Sequence, residues 1–171
     1  RTKMQDEIPA EKFYHRPVLL DEVLAVMQPE PGKVLVDATL GGGGHTEAML
    51  EAGARVIGID QDEQAIKYAQ ARLARFGERF AFKKGNFAQI AELLGAGCRV
   101  DGILADIGVS SWQLDAAERG FSFRKDGPLD MRMDQQATRT AAEIVNSAES
   151  DELIRIFREY GEENQAVKIA R

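Results

Sequence analysis

The chain is short of several things at once. Its 171 residues include one cysteine, Cys98. A single thiol excludes an internal disulfide, and with only two histidines beside it there is no zinc-ligand set to assemble. No apolar run is long enough to span a bilayer, so no membrane association is expected. Residues 1–11 are polar and precede no apolar stretch with a small-residue cleavage site, so no secretory signal is expected and the location is expected to be cytoplasmic. Positive charge is also lacking. The net charge of −6 argues against a general basic coat for nucleic acid, although not against a local patch. The hydrophobic content of 44% is ordinary for a globular protein, and the length suffices for one domain with a core, or one domain and part of another.

What the chain does have is concentrated near its start. Val34-Leu-Val-Asp-Ala-Thr-Leu-Gly-Gly-Gly-Gly-His45 is followed by Arg55-Val-Ile-Gly-Ile-Asp60. This reads as a buried strand, a glycine turn, a helix, and a second buried strand ending in a carboxylate, the layout of a nucleotide-binding βαβ unit. Three cofactor types compete for it. A P-loop for ATP needs a Gly-Lys-Ser/Thr ending, which is missing. The dinucleotide fingerprint for NAD needs a third glycine, and Thr46 stands in its place. S-adenosylmethionine has no phosphate and carries an ammonium and a sulfonium. It suits a site rich in carboxylates, and Asp37, Asp60 and Asp106 each end an apolar run. The pattern favours adenosylmethionine, with an NAD-dependent oxidoreductase on a Rossmann-like fold as the alternative.

Residues 1–14 read as a leader. A short helix is expected from Pro17 to about Met27, and strands at 34–38, 55–60, 80–84 and 100–106. Helices are expected at 46–52, 62–75 and 86–94, the second with Ala65, Ile66, Ala69, Leu73 and Phe76 inward and Gly77 as its cap. The alternation predicts a parallel open sheet covered on both faces, and right-handed crossovers predict the order 3-2-1-4. Residues 107–134 show no sustained period and read as a long functional loop. Helices return at 140–146, 151–159 and 162–171. In that order the fourth strand is a bare edge, apolar and without lysine or proline protection. The expectation is therefore a piece of a longer protein with further strands, itself inactive or nearly so. Pairing with a second copy, as a homodimer, is one way such an edge is shielded.

Several residues could carry chemistry. Gly43 and Gly44 let the backbone approach a ligand, and His45 opens the helix beside them; four successive glycines cost backbone entropy that a simple turn does not require. Asp60 can accept both ribose hydroxyls, or cap the next helix. Phe87 can cover an adenine face or fill the core, and spacing alone does not choose. Asp106 leaves the carboxyl end of the fourth strand, where open α/β sheets place reactive groups. A carboxylate there can hold the N–H groups of an exocyclic amine and turn its lone pair towards a methyl donor, acting chiefly by positioning. Trp112, Phe121 and Phe123 lie among Arg119, Arg124, Lys125, Arg132 and Arg139, but Asp115, Glu118, Asp126, Asp130 and Asp134 cancel the charge, and a solvated loop is the favoured reading. His15-Arg16 is assigned to entry of the first helix.

The segments His15-Arg-Pro-Val-Leu-Leu-Asp-Glu-Val23, Asp37-Ala-Thr-Leu-Gly-Gly-Gly-Gly-His45, Asp106-Ile-Gly-Val-Ser-Ser-Trp-Gln-Leu-Asp115, Glu118-Arg-Gly-Phe-Ser-Phe123, Asp126-Gly-Pro-Leu-Asp-Met-Arg-Met-Asp134 and Tyr160-Gly-Glu-Glu163 together resemble the bacterial ribosomal RNA small subunit methyltransferase H family. Trp112 stands where that family often has proline. The resemblance implies a class I, Rossmann-like methyltransferase using S-adenosyl-L-methionine. It implies that the target is the N4 amine of a cytidine in the decoding region of 16S rRNA, within the small ribosomal subunit. It further implies cofactor contacts from Gly43, Gly44, His45, Asp60, Phe87, Asp106 and Gln113, with Asp106 catalytic and no metal. The N-terminal part of the methyltransferase domain would then span 15–134, and 135–171 would begin a helical insert. A non-catalytic RNA-binding assembly factor on the same fold is the further alternative.

Overall fold

The computed structural model describes residues 17–171. The proposed leader, together with His15 and Arg16, lies outside the described residues. The chain divides into two compact units, Arg1–Trp112 and Gln113–Arg171.

The first unit is built on a four-stranded parallel sheet in the order β3-β2-β1-β4. Helix α1 (Leu20–Met27) precedes β1 (Val34–Asp37), and α2 (Gly44–Glu51) leads to β2 (Arg55–Asp60). Helix α3 (Glu63–Leu73) continues as a 3-10 turn, Ala74–Arg79, before β3 (Phe80–Lys84). A second 3-10 turn, Phe87–Gln89, and α4 (Ile90–Leu94) lead to β4 (Gly102–Leu104). The rhythm and the strand order are those the hydrophobic periodicity predicts, and the architecture is Rossmann-like.

β1 is the centre of this unit. Leu35 and Val36 are fully buried, as expected for a strand covered on both faces. Leu35, Met49, Leu50, Val56, Ala69 and Leu73 form the core, with Leu24, Met27 and Phe80 packed against it. Each fully buried aliphatic side chain contributes roughly 1.5–3 kcal/mol. Leu40 lies across β2 at Gly58, where a Cβ would stand 2.7 Å from Leu40 Cδ1, so glycine is needed for the chain after β1 to cross there. Gly77, with φ +54, breaks the helical run where its expected cap was placed.

β4 is shorter than its apolar sequence predicts. Among the described residues it pairs only with β1, through Gly102, Ile103 and Leu104, and Ile103 is half exposed. Before the ladder, the Asp101 carboxylate accepts from the Val34 N–H at 2.8 Å. After it, the Asp106 N–H donates to the Thr39 hydroxyl at 2.8 Å. Side-chain bonds thus supplement the last backbone bonds, Asp101 N–H to the Val34 carbonyl and Ala38 N–H to the Leu104 carbonyl, where the extended run 100–106 was expected.

The second unit contains most of the stretch expected to be an irregular loop. α5 (Ser111–Asp115) crosses the boundary between the units, and a 3-10 turn follows at Ala117–Arg119. Arg119 is buried and donates to the carbonyls of Arg132 and Met133 at 3.0 and 3.1 Å. Arg132 grips the Asp130 carboxylate with Nε at 2.9 Å and Nη2 at 2.6 Å, and also donates to the Ala137 carbonyl. These bonds fold the segment onto itself with little regular structure. α6 (Ala141–Ser147) opens on a capping box between Thr140 and Glu143. α7 (Ser150–Glu159) and α8 (Ala166–Ile169) pack together. The helix expected over 162–171 is only α8, because Glu162 adopts φ +51 and the chain turns before it.

Candidate functional site

Because the sheet is parallel, the carboxyl ends of its strands meet along one edge. Asp37 ends β1 and is fully buried. Its carboxylate accepts from the Thr46 hydroxyl at 2.7 Å and from the Thr39 N–H at 3.2 Å. Burial pushes the Asp37 carboxyl above its ordinary value, and these two donors pull it back in part. Thr46 is thus the residue that ties the start of α2 to the end of β1.

The glycine turn lies between these two elements. Gly43 has φ +77 and forms the N-cap of α2, a conformation that a side chain would strain. The Gly41 N–H donates to Asp60 Oδ2 at 2.7 Å, while the Asp62 N–H donates to Oδ1 at 2.8 Å. Asp60 therefore holds the glycine turn against the tip of β2. The Gln61 backbone N–H also bonds this carboxylate, so three donors of the chain share it and only part of its acceptor capacity is left for another donor. Burial raises the Asp60 carboxyl as well, against the lowering effect of the N–H bonds it accepts. From the other side, Arg72 donates to the Gly42 carbonyl at 3.1 Å and pairs with Glu47 at 2.5 Å.

Asp106 lies beyond β4 and is exposed. Its N–H bond to Thr39 connects it to the same turn. A continuous path therefore runs from Asp60 through Gly41 and Thr39 to Asp106. Phe87 is half-buried in the turn after β3. That turn is held by Asn86, whose Oδ1 accepts from the Ala88 N–H at 2.8 Å and whose Nδ2 donates to Gln61 Oε1 at 3.2 Å. It lies beside the tip of β2, where the Gly85 N–H also donates to the Asp60 carbonyl.

Three of the expected site residues have side-chain or packing partners within the chain itself. His45 is buried in the first turn of α2, with Nε2 2.9 Å from the Val18 carbonyl. Its ring thereby anchors the segment that enters α1. Gly44 packs against Pro17, where a Cβ would stand 2.6 Å from the ring. Gln113 belongs to the second unit, where it is buried with Nε2 3.2 Å from Met133 Sδ.

Thr39, Thr46 and Arg72 were not identified from sequence. Thr46 offered a signal, since it stands where a dinucleotide fingerprint has glycine. Among the described residues no group of histidine, cysteine, aspartate or glutamate has metal-binding geometry. No helix among them is long and apolar enough to cross a membrane.

An open parallel sheet with a glycine turn at the end of its first strand and acidic residues at three strand tips defines a Rossmann-like α/β protein. Residues 12–171 match the MraW methylase family, and the chain belongs to that family. It is 52% identical over 166 residues to the ribosomal RNA small subunit methyltransferase H of Syntrophotalea carbinolica, covering 94% of this chain and 53% of that protein. It is 55% identical over 164 residues to the protein of the same name from Carboxydothermus hydrogenoformans, covering 94% and 52%. The chain spans about half the length of the curated relatives it matches. Among solved structures, the C-terminal domain of precorrin-6Y C5,15-methyltransferase from Rhodobacter capsulatus aligns at a TM-score of 0.47 and 22% identity, covering 57% of this chain and 52% of that one.

Proposed function

We propose that the protein to which this chain belongs transfers a methyl group from S-adenosylmethionine to the N4 amine of a cytidine in the decoding region of 16S rRNA, in the small ribosomal subunit of the cytoplasm. The observation that carries the reading is the bonded path Asp60–Gly41–Thr39–Asp106, which gathers two carboxylates and a glycine turn at one edge of the sheet. Family membership and the names of the relatives support ribosomal RNA as the substrate.

The residues fit the cofactor. Asp60, beside the backbone donors it already serves, would accept from the ribose hydroxyls, and Phe87, beside that tip, would cover the adenine. The backbone of Gly43 and Gly44 would flank the methionine part, and buried Asp37 places a further carboxyl behind the turn. A dinucleotide is disfavoured at the same place. Its pyrophosphate would face carboxylates at the strand tips, and like charges held close repel strongly where water is scarce. Thr46 also fills the third-glycine position with a hydroxyl fully buried against Asp37.

When bound, adenosylmethionine supplies an electrophilic methyl group on a sulfonium. Asp106 would accept the N–H groups of the cytosine amine and aim the nitrogen lone pair at the methyl carbon. The C–N bond forms as the sulfonium C–S bond breaks, with adenosylhomocysteine as the leaving group, and the surplus amine proton passes by way of the exposed Asp106 carboxylate to water. Thr39 fixes the backbone of Asp106, so the carboxylate is presented from a held position and not from a free loop. This is catalysis by orientation, and misplacing the amine by about 1 Å costs on the order of 100-fold.

The test is Asp106→Ala in the full-length protein, with transfer to small-subunit RNA followed by mass mapping of the product. Methyl transfer should fall by roughly 100-fold or more, with affinity for adenosylhomocysteine retained. Binding of NADH in place of adenosylhomocysteine in calorimetry would reverse the choice of cofactor. Unchanged methyl transfer would remove Asp106 from the mechanism.

A further inference from the structure

The cations of the stretch 119–139 have separate fates in the fold. Arg119 is buried against two backbone carbonyls. Lys125 donates to the Asp115 carbonyl at 2.7 Å and lies 3.4 Å from its carboxylate. Arg132 is held by Asp130, and Arg139 by Glu152 at 3.3 Å. Arg124 alone of these is exposed with no side-chain hydrogen bond or ion pair among the described residues. Its neighbour Phe123 is 96% exposed, the most exposed large apolar side chain among the described residues.

The backbone that carries this pair is held on both sides. The Arg124 N–H donates to the Ser122 hydroxyl at 3.2 Å, and Lys125 is anchored to the end of α5. A bare aromatic ring beside an unused guanidinium, on an anchored turn, has the chemistry of a stacking platform for unpaired bases. Asp115 pairs with Lys125 at the surface and Asp130 with Arg132 in a partly buried pair, so neither acid is the partner of Arg124.

Resting on the ribosomal RNA reading above, we infer that Phe123 and Arg124 grip single-stranded RNA, with a base stacked on the Phe123 ring and a neighbouring phosphate held by Arg124. The grip reads no sequence, because every base offers a π-face. It adds affinity for an unpaired stretch of the substrate and plays no part in holding the cofactor.

The experiment measures fluorescence anisotropy of a single-stranded oligonucleotide from small-subunit ribosomal RNA with the full-length protein. Phe123→Ala should weaken binding about tenfold or more, Phe123→Trp should restore it, and Phe123→Leu should not. Arg124→Ala should lower the salt-dependence slope by about 0.7, the value of one phosphate contact on a single strand. Adenosylhomocysteine affinity should be the same in all four variants. Equal RNA affinity for wild type and Phe123→Ala overturns the inference, as does full rescue by leucine. A lowered melting temperature in Phe123→Ala with RNA affinity intact also overturns it, since the ring then packs against protein. Wild type that binds no RNA overturns it outright. Wild type that binds RNA through Phe123 but transfers no methyl group overturns the proposed reaction and leaves this grip standing.

Discussion

Asp60 holds the N–H groups of Gly41 and Asp62, and on the reading proposed above the same carboxylate also accepts from the ribose. Asp60→Ala should therefore loosen the glycine turn and, on that proposal, remove the ribose contact. Hydrogen bonds to charged groups contribute about 1.5–3 kcal/mol each, so adenosylhomocysteine affinity measured by calorimetry should drop at least roughly tenfold. Asp37 differs because it is wholly buried and its donors belong to the chain. Asp37→Ala strands the fully buried Thr46 hydroxyl, at roughly 1–3 kcal/mol, and leaves the part-buried Thr39 N–H without this acceptor. Urea denaturation should show that loss as a lower midpoint. An unchanged midpoint would mean that water reaches the site. The three aspartates at strand tips were legible as a pattern. Their division into one buried brace, one holder of the glycine turn and one exposed carboxylate was not, because it depends on which hydroxyl and N–H groups reach them: Thr39 carries no signature in one dimension, and the signal at Thr46 did not name its partner.

At the scale of elements, two turns decide how the helices begin. α2 starts at Gly44 because Gly43 adopts a left-handed conformation, and a Cβ on Gly43 would lie 3.0 Å from Leu73 Cδ1. Gly43→Ala should cost about 1–2 kcal/mol from backbone strain alone, read as a lower unfolding midpoint. α6 starts at the Thr140–Glu143 capping box. Thr140→Ala should cost about 1 kcal/mol and speed hydrogen exchange in the first turn of α6, with the first unit unaffected. Strands β1, β2 and β3 were legible because their apolar runs are bounded by glycine, proline or acids. β4 was read too long, since apolar content predicts a buried strand whereas ladder length depends on how many partners pair with it.

For the whole molecule, acid acts on the two units with opposite sign. In the first unit Asp37 and Asp60 titrate above their ordinary value of 3.8 because they are buried. Their contribution to stability is fully present below that value and is lost as pH rises through the raised folded values. In the second unit the Arg132 guanidinium holds Asp130 down to about 2. That contribution is present above the unfolded value and is lost as pH falls from about 4 through 2. Hydrogen exchange at stepped pH should therefore show the 119–137 segment losing protection before the sheet does. Asp130→Asn should abolish the pH dependence of that loss. Equal acid sensitivity of wild type and variant would show that the Asp130–Arg132 pair is not what supports the segment.

The chain's own pattern determined the parallel sheet, its order and the place of the glycine turn, because these follow from hydrophobic periodicity, turn chemistry and the handedness of βαβ crossovers. The motif set likewise pointed to the family. Only the tertiary structure decided which polar groups are taken up by partners within the protein and which stay exposed. His45 turned to Val18, Gln113 to Met133, and Arg119 to backbone carbonyls, leaving Phe123 and Arg124 outside. The physical reason is that a buried polar group takes whichever partner lies within hydrogen-bond distance. Those partners come from sequence positions whose spacing carries no period.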